Sequence, residues 1–120
     1  MPDERPHFRA SARTPVALVV RFRRDDPRSM LEHNGRTTDV SMAGVFVECE
    51  KPPTIGTRLV MTLVSPTAWE PLAISVEVRW VSDGSKGRVR GFGALFDGLG
   101  KTQAAALFEL LQASAYLEAR

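Results

Sequence analysis

Leu72-Ala73-Ile74-Ser75-Val76-Glu77-Val78-Arg79-Trp80-Val81 alternates apolar and other residues with a period of two. That period places Leu72, Ile74, Val76, Val78 and Trp80 on one face of a β-strand and Ala73, Ser75, Glu77, Arg79 and Val81 on the other. Downstream, Asp83-Gly84-Ser85-Lys86-Gly87 reads as a hairpin loop. Residues 89–96 return as a partner strand, with glycines at 91 and 93 that permit a bend or close backbone packing. The middle of the chain therefore reads as antiparallel β-structure.

The same pattern extends toward the N-terminus. Leu59, Met61 and Leu63 share a face in a strand over 58–64, preceded by Lys51-Pro52-Pro53-Thr54-Ile55-Gly56, a loop because adjacent prolines cannot sit in a central strand. Short strands over 36–40 and 45–49 flank Ser41-Met42-Ala43-Gly44. Val16, Leu18, Val20 and Phe22 alternate with Ala17, Val19, Arg21 and Arg23, the signature of a half-buried strand. Asp25-Asp26-Pro27-Arg28 and His33-Asn34-Gly35 read as turns, and residues 65–71 as a connection. Past Gly98 the period changes: Ala106, Leu107, Leu110, Leu111 and Leu117 fall at helical spacing, giving one amphipathic helix over 101–117 that starts at Gly100 or Thr102. Six short strands followed by a terminal helix suggest an antiparallel barrel or a compact sandwich, with the helix over an open end or edge.

Composition limits what such a domain can do. The 120 residues suffice for one domain with its own core, and 43% hydrophobic with 25% charged residues is an ordinary globular mix. Residues 14–117 form that domain and residues 1–13, polar with two prolines and no apolar period, form a flexible or ligand-ordered arm. A single cysteine, Cys49, excludes an intramolecular disulfide and reads as a small core residue on an alternating strand. The N-terminus lacks the apolar stretch of a signal peptide, and no window reaches the ~20 apolar residues of a transmembrane helix, so the expectation is a cytoplasmic protein with no membrane insertion.

Enzyme chemistry finds little to work with. His7 and His33 are the two histidines, both in predicted loops and neither in a metal-ligand spacing. Ser41 lacks a nucleophile-elbow setting, and no Walker-type phosphate loop is present. Gly91-Phe92-Gly93 belongs to a strand and not to a strand-to-helix turn, so it is no dinucleotide fingerprint of the Rossmann kind. The expectation is a protein that is not an enzyme and has no metal and no cofactor.

The basic residues are unevenly placed. Arg5, Arg9, Arg13, Arg21, Arg23, Arg24, Arg28 and Arg36 supply half of the 16 Lys+Arg, all before residue 37 and all arginine. A net charge of +2 is too small for nucleic-acid binding on bulk charge, and no DNA or RNA partner is expected. Arginine is, however, the residue suited to bidentate contact with phosphates and guanine edges. Two short patterns stand out: Arg9-Ala10-Ser11-Ala12-Arg13 just before the first strand, and Asp39-Val40-Ser41-Met42-Ala43-Gly44 between two strands. Taken singly, the first arises readily in a basic chain and the second reads as a hairpin loop.

In this order and setting the two patterns resemble the PilZ domain family of cyclic di-GMP receptors, which carries an arginine pair ahead of its first barrel strand and an Asp/Asn-x-Ser-x-x-Gly within the barrel. Val78-Arg79-Trp80-Val81, Gly91-Phe92-Gly93-Ala94-Leu95-Phe96 and the closing helix look like that family's last hairpin and tail, so the resemblance spans roughly residues 8–112. It implies a six-stranded antiparallel split β-barrel with a C-terminal helix. It further implies a cyclic di-GMP-binding adaptor, monomeric or a weak dimer, that acts on an unidentified protein partner in motility, surface or biofilm behaviour.

The implied ligand residues are Arg9, Arg13, Asp39, Ser41 and Gly44. Guanidinium forks suit the phosphates and the O6/N7 edge of guanine; Asp39, as an acceptor, suits the N1–H and N2–H₂ donors of the opposite edge. Ser41 can donate or accept, and Gly44 permits a sharp turn or a close ligand. One departure is Phe8, which stands where many relatives have a further arginine; it leaves open whether one or two dinucleotides bind, with Arg5 one step further out as a substitute. The alternative function is a PilZ-like protein-interaction module that does not bind nucleotide.

Overall fold

The computed structural model describes residues 14–64 and 71–118; the expected arm over 1–13 and nearly all of the expected connection over 65–71 lie outside them. Seven strands, β1 (Thr14–Pro15), β2 (Val19–Arg24), β3 (His33–Val40), β4 (Gly44–Glu48), β5 (Arg58–Val64), β6 (Leu72–Asp83) and β7 (Arg90–Phe96), precede one helix, α1 (Lys101–Glu118). Six of them close a barrel in the order β2-β5-β6-β7-β4-β3, with β3 returning to β2 and every pairing antiparallel. Closure removes the open edges that an antiparallel sheet of this size would otherwise present.

The period-two faces do what the sequence predicts. Val16, Leu18, Val20 and Phe22 are buried, as are Leu59, Met61 and Leu63, and Ile74, Val76 and Val78. Together with Val40, Val45, Val47, Phe92 and Ala94 they fill the barrel, and Phe22 meets Phe92 edge to face at 5.1 Å between ring centroids. Helix α1 begins where expected. Gln103 accepts the Gly100 N–H at 3.0 Å through Oε1, the reach-back of a capping box, while its Nε2 donates to Ala73 O at 2.8 Å. One glutamine thus caps the helix and ties it to β6, and Leu107, Leu110 and Leu111 complete the core from that side.

The structure corrects three sequence expectations. His33-Asn34-Gly35 is no turn: it is the start of β3, paired with Phe22, Arg21 and Val20. Gly35 is there for proximity, since a Cβ would come within 2.6 Å of Val47 Cγ1 and 2.9 Å of Glu48 O. The strand expected from Val16 begins only at Val19, because the backbone is out of the ladder at 16–18, between β1 and β2, although its alternation of burial persists. Finally, Trp80 does not share the core face of Ile74, Val76 and Val78. The β6–β7 register slips between Val78 (opposite Ala94) and Trp80 (opposite Gly93), so one extra residue turns the indole to the outside of the barrel.

Candidate functional site

The Asp39–Gly44 segment joins β3 to β4, and each of its polar members has a defined place. Ser41 is buried, with 5% of its surface exposed. Its Oγ accepts the N–H groups of Ala43 at 3.1 Å and Gly44 at 3.2 Å, and its own N–H donates to Gly44 O at 2.9 Å. The hydroxyl therefore holds the turn together from inside. Gly44 packs against β7, where a Cβ would sit 2.3 Å from Ala94 O. Both residues fix the shape of the loop that carries Asp39.

Asp39 is aimed by a bulge. The β3–β4 register shifts between Thr37 and Asp39, leaving Thr38 as the extra residue. Without it, strict alternation would put Thr37 and Asp39 on the same inner face. With it, Thr37 and Val40 are buried while Asp39 is half-buried, opposite Phe46 on β4. Thr38 Oγ1 donates to Asp39 Oδ2 at 3.2 Å.

The other edge of β3 receives the segment that follows the arginine pair. Thr14 lies opposite Val40 and Pro15 opposite Asp39. Thr37, 1% exposed, secures this approach: its hydroxyl accepts the Leu18 N–H at 2.8 Å and donates to Val16 O, while its backbone N–H donates to Leu18 O at 2.9 Å. Val16 N–H donates in turn to Thr38 O at 3.2 Å. The backbone groups of Val16 and Leu18 are thereby bonded to β3, although the ladder is broken. Sequence reasoning missed Thr37, because a lone threonine at a strand position carries no signal beyond β propensity. Arg9 and Arg13, with Arg5 and Phe8, lie outside the described residues.

Outside the barrel, beyond Asp39, the surface is concave. A broad cleft of about 890 Å³ is lined by Val19, Asn34, Arg36, Glu48, Glu50 and Arg90, among others. Arg36 pairs with Val19 on one side and Glu48 on the other, so the cleft runs along the outer face of β3 three residues from Asp39. Cys49 borders it, half-buried, and burial pushes its thiol pKa up, partly offset by the Lys51 backbone N–H. His33 stacks on Phe22 at 5.5 Å. Among the described residues no group of three or more His, Cys, Asp or Glu could hold a metal ion, and no helix is long and apolar enough to cross a membrane.

The sequence model described as PilZ domain matches residues 5–113. Three solved structures share the architecture. The Bacillus subtilis inhibitor of motility, MotI/DgrA, superposes with a TM-score of 0.68 at 17% identity over 90% of this chain and 49% of its own, so the chain spans about half the length of that protein. The PilZ domain of CeSA from a cellulose-synthesizing bacterium gives 0.67 at 19% identity, covering 86% of this chain and 97% of its own. The PilZ domain of Escherichia coli YcgR, solved with c-di-GMP, gives 0.70 at 15% identity, covering 92% of each. At these identities the likeness speaks for the fold. No curated protein matches the chain.

Proposed function

The chain belongs to the PilZ domain family, and from that premise we propose that it is a non-enzymatic cyclic di-GMP receptor that relays the signal to a protein partner. The observation that supports this best is the register of β1 on β3. Pro15 and Asp39, far apart in sequence, are cross-strand partners, and Thr37 pins the backbone that follows Pro15. The Arg9-x-x-x-Arg13 motif ends directly before Thr14 in the sequence, which supports an arginine pair acting together with Asp39. The ligand in the YcgR structure fits this reading.

In this mechanism the phosphates are held by Arg9 and Arg13, whose guanidinium forks make charge-assisted hydrogen bonds. Asp39 accepts from guanine N1–H and N2–H₂. Ser41 and Gly44 present Asp39 and the loop backbone in a fixed geometry, so that little ordering remains to be done on binding. Residues 1–13 act as the arm that closes over the dinucleotide, and the surface formed by arm and barrel is what a partner senses. The setting we propose is cytoplasmic, in control of motility or surface behaviour, as in the named function of the Bacillus relative.

Calorimetric titration of cyclic di-GMP tests this, with GMP and GTP as controls. Saturable heat with the dinucleotide alone is expected. Amide exchange should then slow in residues 5–14 and 39–45 and stay unchanged in α1. Absence of binding at millimolar dinucleotide would overturn the receptor reading in favour of an interaction module without nucleotide.

A further inference from the structure

Because successive strands run antiparallel, the β2–β3, β4–β5 and β6–β7 connections all leave the barrel at one end. The β3–β4 loop and the start of α1, tied by Gln103 to the first turn of β6 at Ala73, lie at the other. Two connections at the first end present the three most exposed large apolar side chains among the described residues. Met30 and Leu31 on β2–β3 are 87% and 66% exposed, and Ile55 on β4–β5 is 65% exposed. Both connections are bonded turns. Asp26 accepts the Arg28 N–H through Oδ1 at 3.0 Å and the Ser29 N–H through its carbonyl at 2.9 Å. Beside Ile55, the Gly56 N–H donates to Val78 O at 2.8 Å and the Thr57 N–H to Thr54 O at 3.2 Å. Ordered backbone therefore holds these apolar side chains out in water, as at a surface made for contact.

The same two connections frame a hollow of about 270 Å³, walled by Phe22, His33, Pro52, Pro53 and Leu59. Phe22 and Leu59 belong to the core, and His33 stacks on the Phe22 ring, so the hollow opens onto the end of the barrel interior. Its volume is below the ~300 Å³ at which pockets for drug-sized ligands begin, and it suits one large side chain. Charge adds a second condition. Arg24 and Lys51, both exposed, line the hollow, and among the described residues no carboxylate does. Asp25 and Asp26 line a separate hollow with Arg58.

We propose that this end of the barrel docks a partner protein through one large apolar side chain of the partner, Phe or Leu, flanked by acidic residues. The apolar anchor fills the hollow against Phe22 and the two prolines. The flanking carboxylates meet Arg24 and Lys51. Met30, Leu31 and Ile55 close around the anchor and exclude water from it, the arrangement that makes a buried anchor dominate an interface. Charge complementarity selects an acidic segment, and the size of the hollow selects a single side chain. The inference goes beyond the receptor reading and does not rest on it. That reading assigns the dinucleotide to the far end of β3, so partner and dinucleotide can be held at once.

The test is an NMR amide titration of the full chain, without nucleotide, using the blocked peptide Glu-Asp-Phe-Asp-Glu. The same peptide with a central Ala and the peptide Lys-Lys-Phe-Lys-Lys are the comparisons. Saturable shifts are expected over residues 22–33 and 51–59, with 39–46 and α1 unmoved. The Ala-centred peptide should bind roughly tenfold more weakly or worse, as for loss of an anchor, and the basic peptide should not bind. Arg24→Glu and Lys51→Glu should each weaken the acidic peptide by roughly three- to tenfold, while Lys101→Glu at the far end leaves it unchanged. Equal binding of the Phe and Ala peptides, equal losses in all three variants, or shifts centred on 39–46 would overturn the proposal. So would sedimentation showing a dimer that Ile55→Glu dissociates, because the occupant would then be a second copy of the chain. If a variant fails to melt cooperatively, the shift map and the three peptides on the parent chain decide. Because no nucleotide is present, failure here leaves the receptor reading untouched, and a chain that ignores cyclic di-GMP still answers this test.

Discussion

Replacing Thr37 by valine keeps the shape of the side chain and removes only its hydroxyl. That hydroxyl sits on a residue 1% exposed and serves two backbone groups, the Leu18 N–H at 2.8 Å and the Val16 carbonyl. No ladder partner can take its place, because β1 and β2 are interrupted at this point. A buried backbone group left without a partner costs about 1–3 kcal/mol, so two of them cost about 2–6. The extra buried methyl returns about 1 kcal/mol. The net expectation is a loss of about 1–5 kcal/mol, and at about 4 °C per kcal/mol for a domain of this size the melting temperature should fall by roughly 4–20 °C. Thr37→Ser is the informative companion: it keeps the hydroxyl and loses one buried methyl, at about 1 kcal/mol. The smaller side chain should therefore be the better tolerated one, the reverse of what core packing alone predicts. Urea and thermal unfolding of the three proteins measure this. A valine variant as stable as the parent, or more stable than the serine variant, would refute the claim that this hydroxyl holds the β1–β2 break to β3.

Further outcomes follow from the same geometry. Gly44→Ala forces a methyl to 2.3 Å from Ala94 O, where only backbone can yield, and should lower stability by about 1–3 kcal/mol in urea unfolding; a neutral result would mean that the β4–β7 approach is not tight. Under the receptor reading, Arg9→Ala and Arg13→Ala each remove a charge-assisted contact of about 1.5–3 kcal/mol, a ten- to hundredfold loss of cyclic di-GMP affinity, and Arg28→Ala should be near neutral; equal losses in all three would indicate diffuse charge and not a site. Asp39→Ala should weaken binding more than Asp39→Asn and blur the discrimination between guanine and adenine cyclic dinucleotides, with unchanged selectivity counting against base recognition by this carboxylate. Cys49, its thiol pKa raised by burial, should be alkylated at pH 7.5 more slowly in the native protein than in the urea-unfolded chain, and equal rates would refute its packing against the core.

Ser41 and Gly44 show how a motif can be legible while the work of its members is not. The spacing Asp39-x-Ser41-x-x-Gly44 is plain in the sequence, and so is its likeness to a ligand-binding pattern. The structure gives Ser41 Oγ to the Ala43 and Gly44 N–H groups, and the space beside Gly44 to Ala94. A hydroxyl and a missing Cβ look the same in sequence whether they face a ligand or a neighbouring strand. The face that carries Asp39 is likewise set by a bulge at Thr38 that no residue type announces.

Side-chain alternation and composition were enough, by themselves, to determine the strands over 58–64 and 72–78, the buried face from Val16 to Phe22, and the amphipathic helix with its start at Gly100. These are local consequences: a period of 2 or 3.6 sorts apolar residues to one side whatever the rest of the chain does. Only the tertiary structure decided that His33-Asn34-Gly35 extends a strand, that Trp80 faces outward over Gly93, and that Pro15 lies opposite Asp39. Each of these turns on register. A shift of one residue exchanges the faces of a strand, and that shift is set by a neighbouring strand far away in sequence, through bulges and glycine contacts that leave the local pattern unchanged.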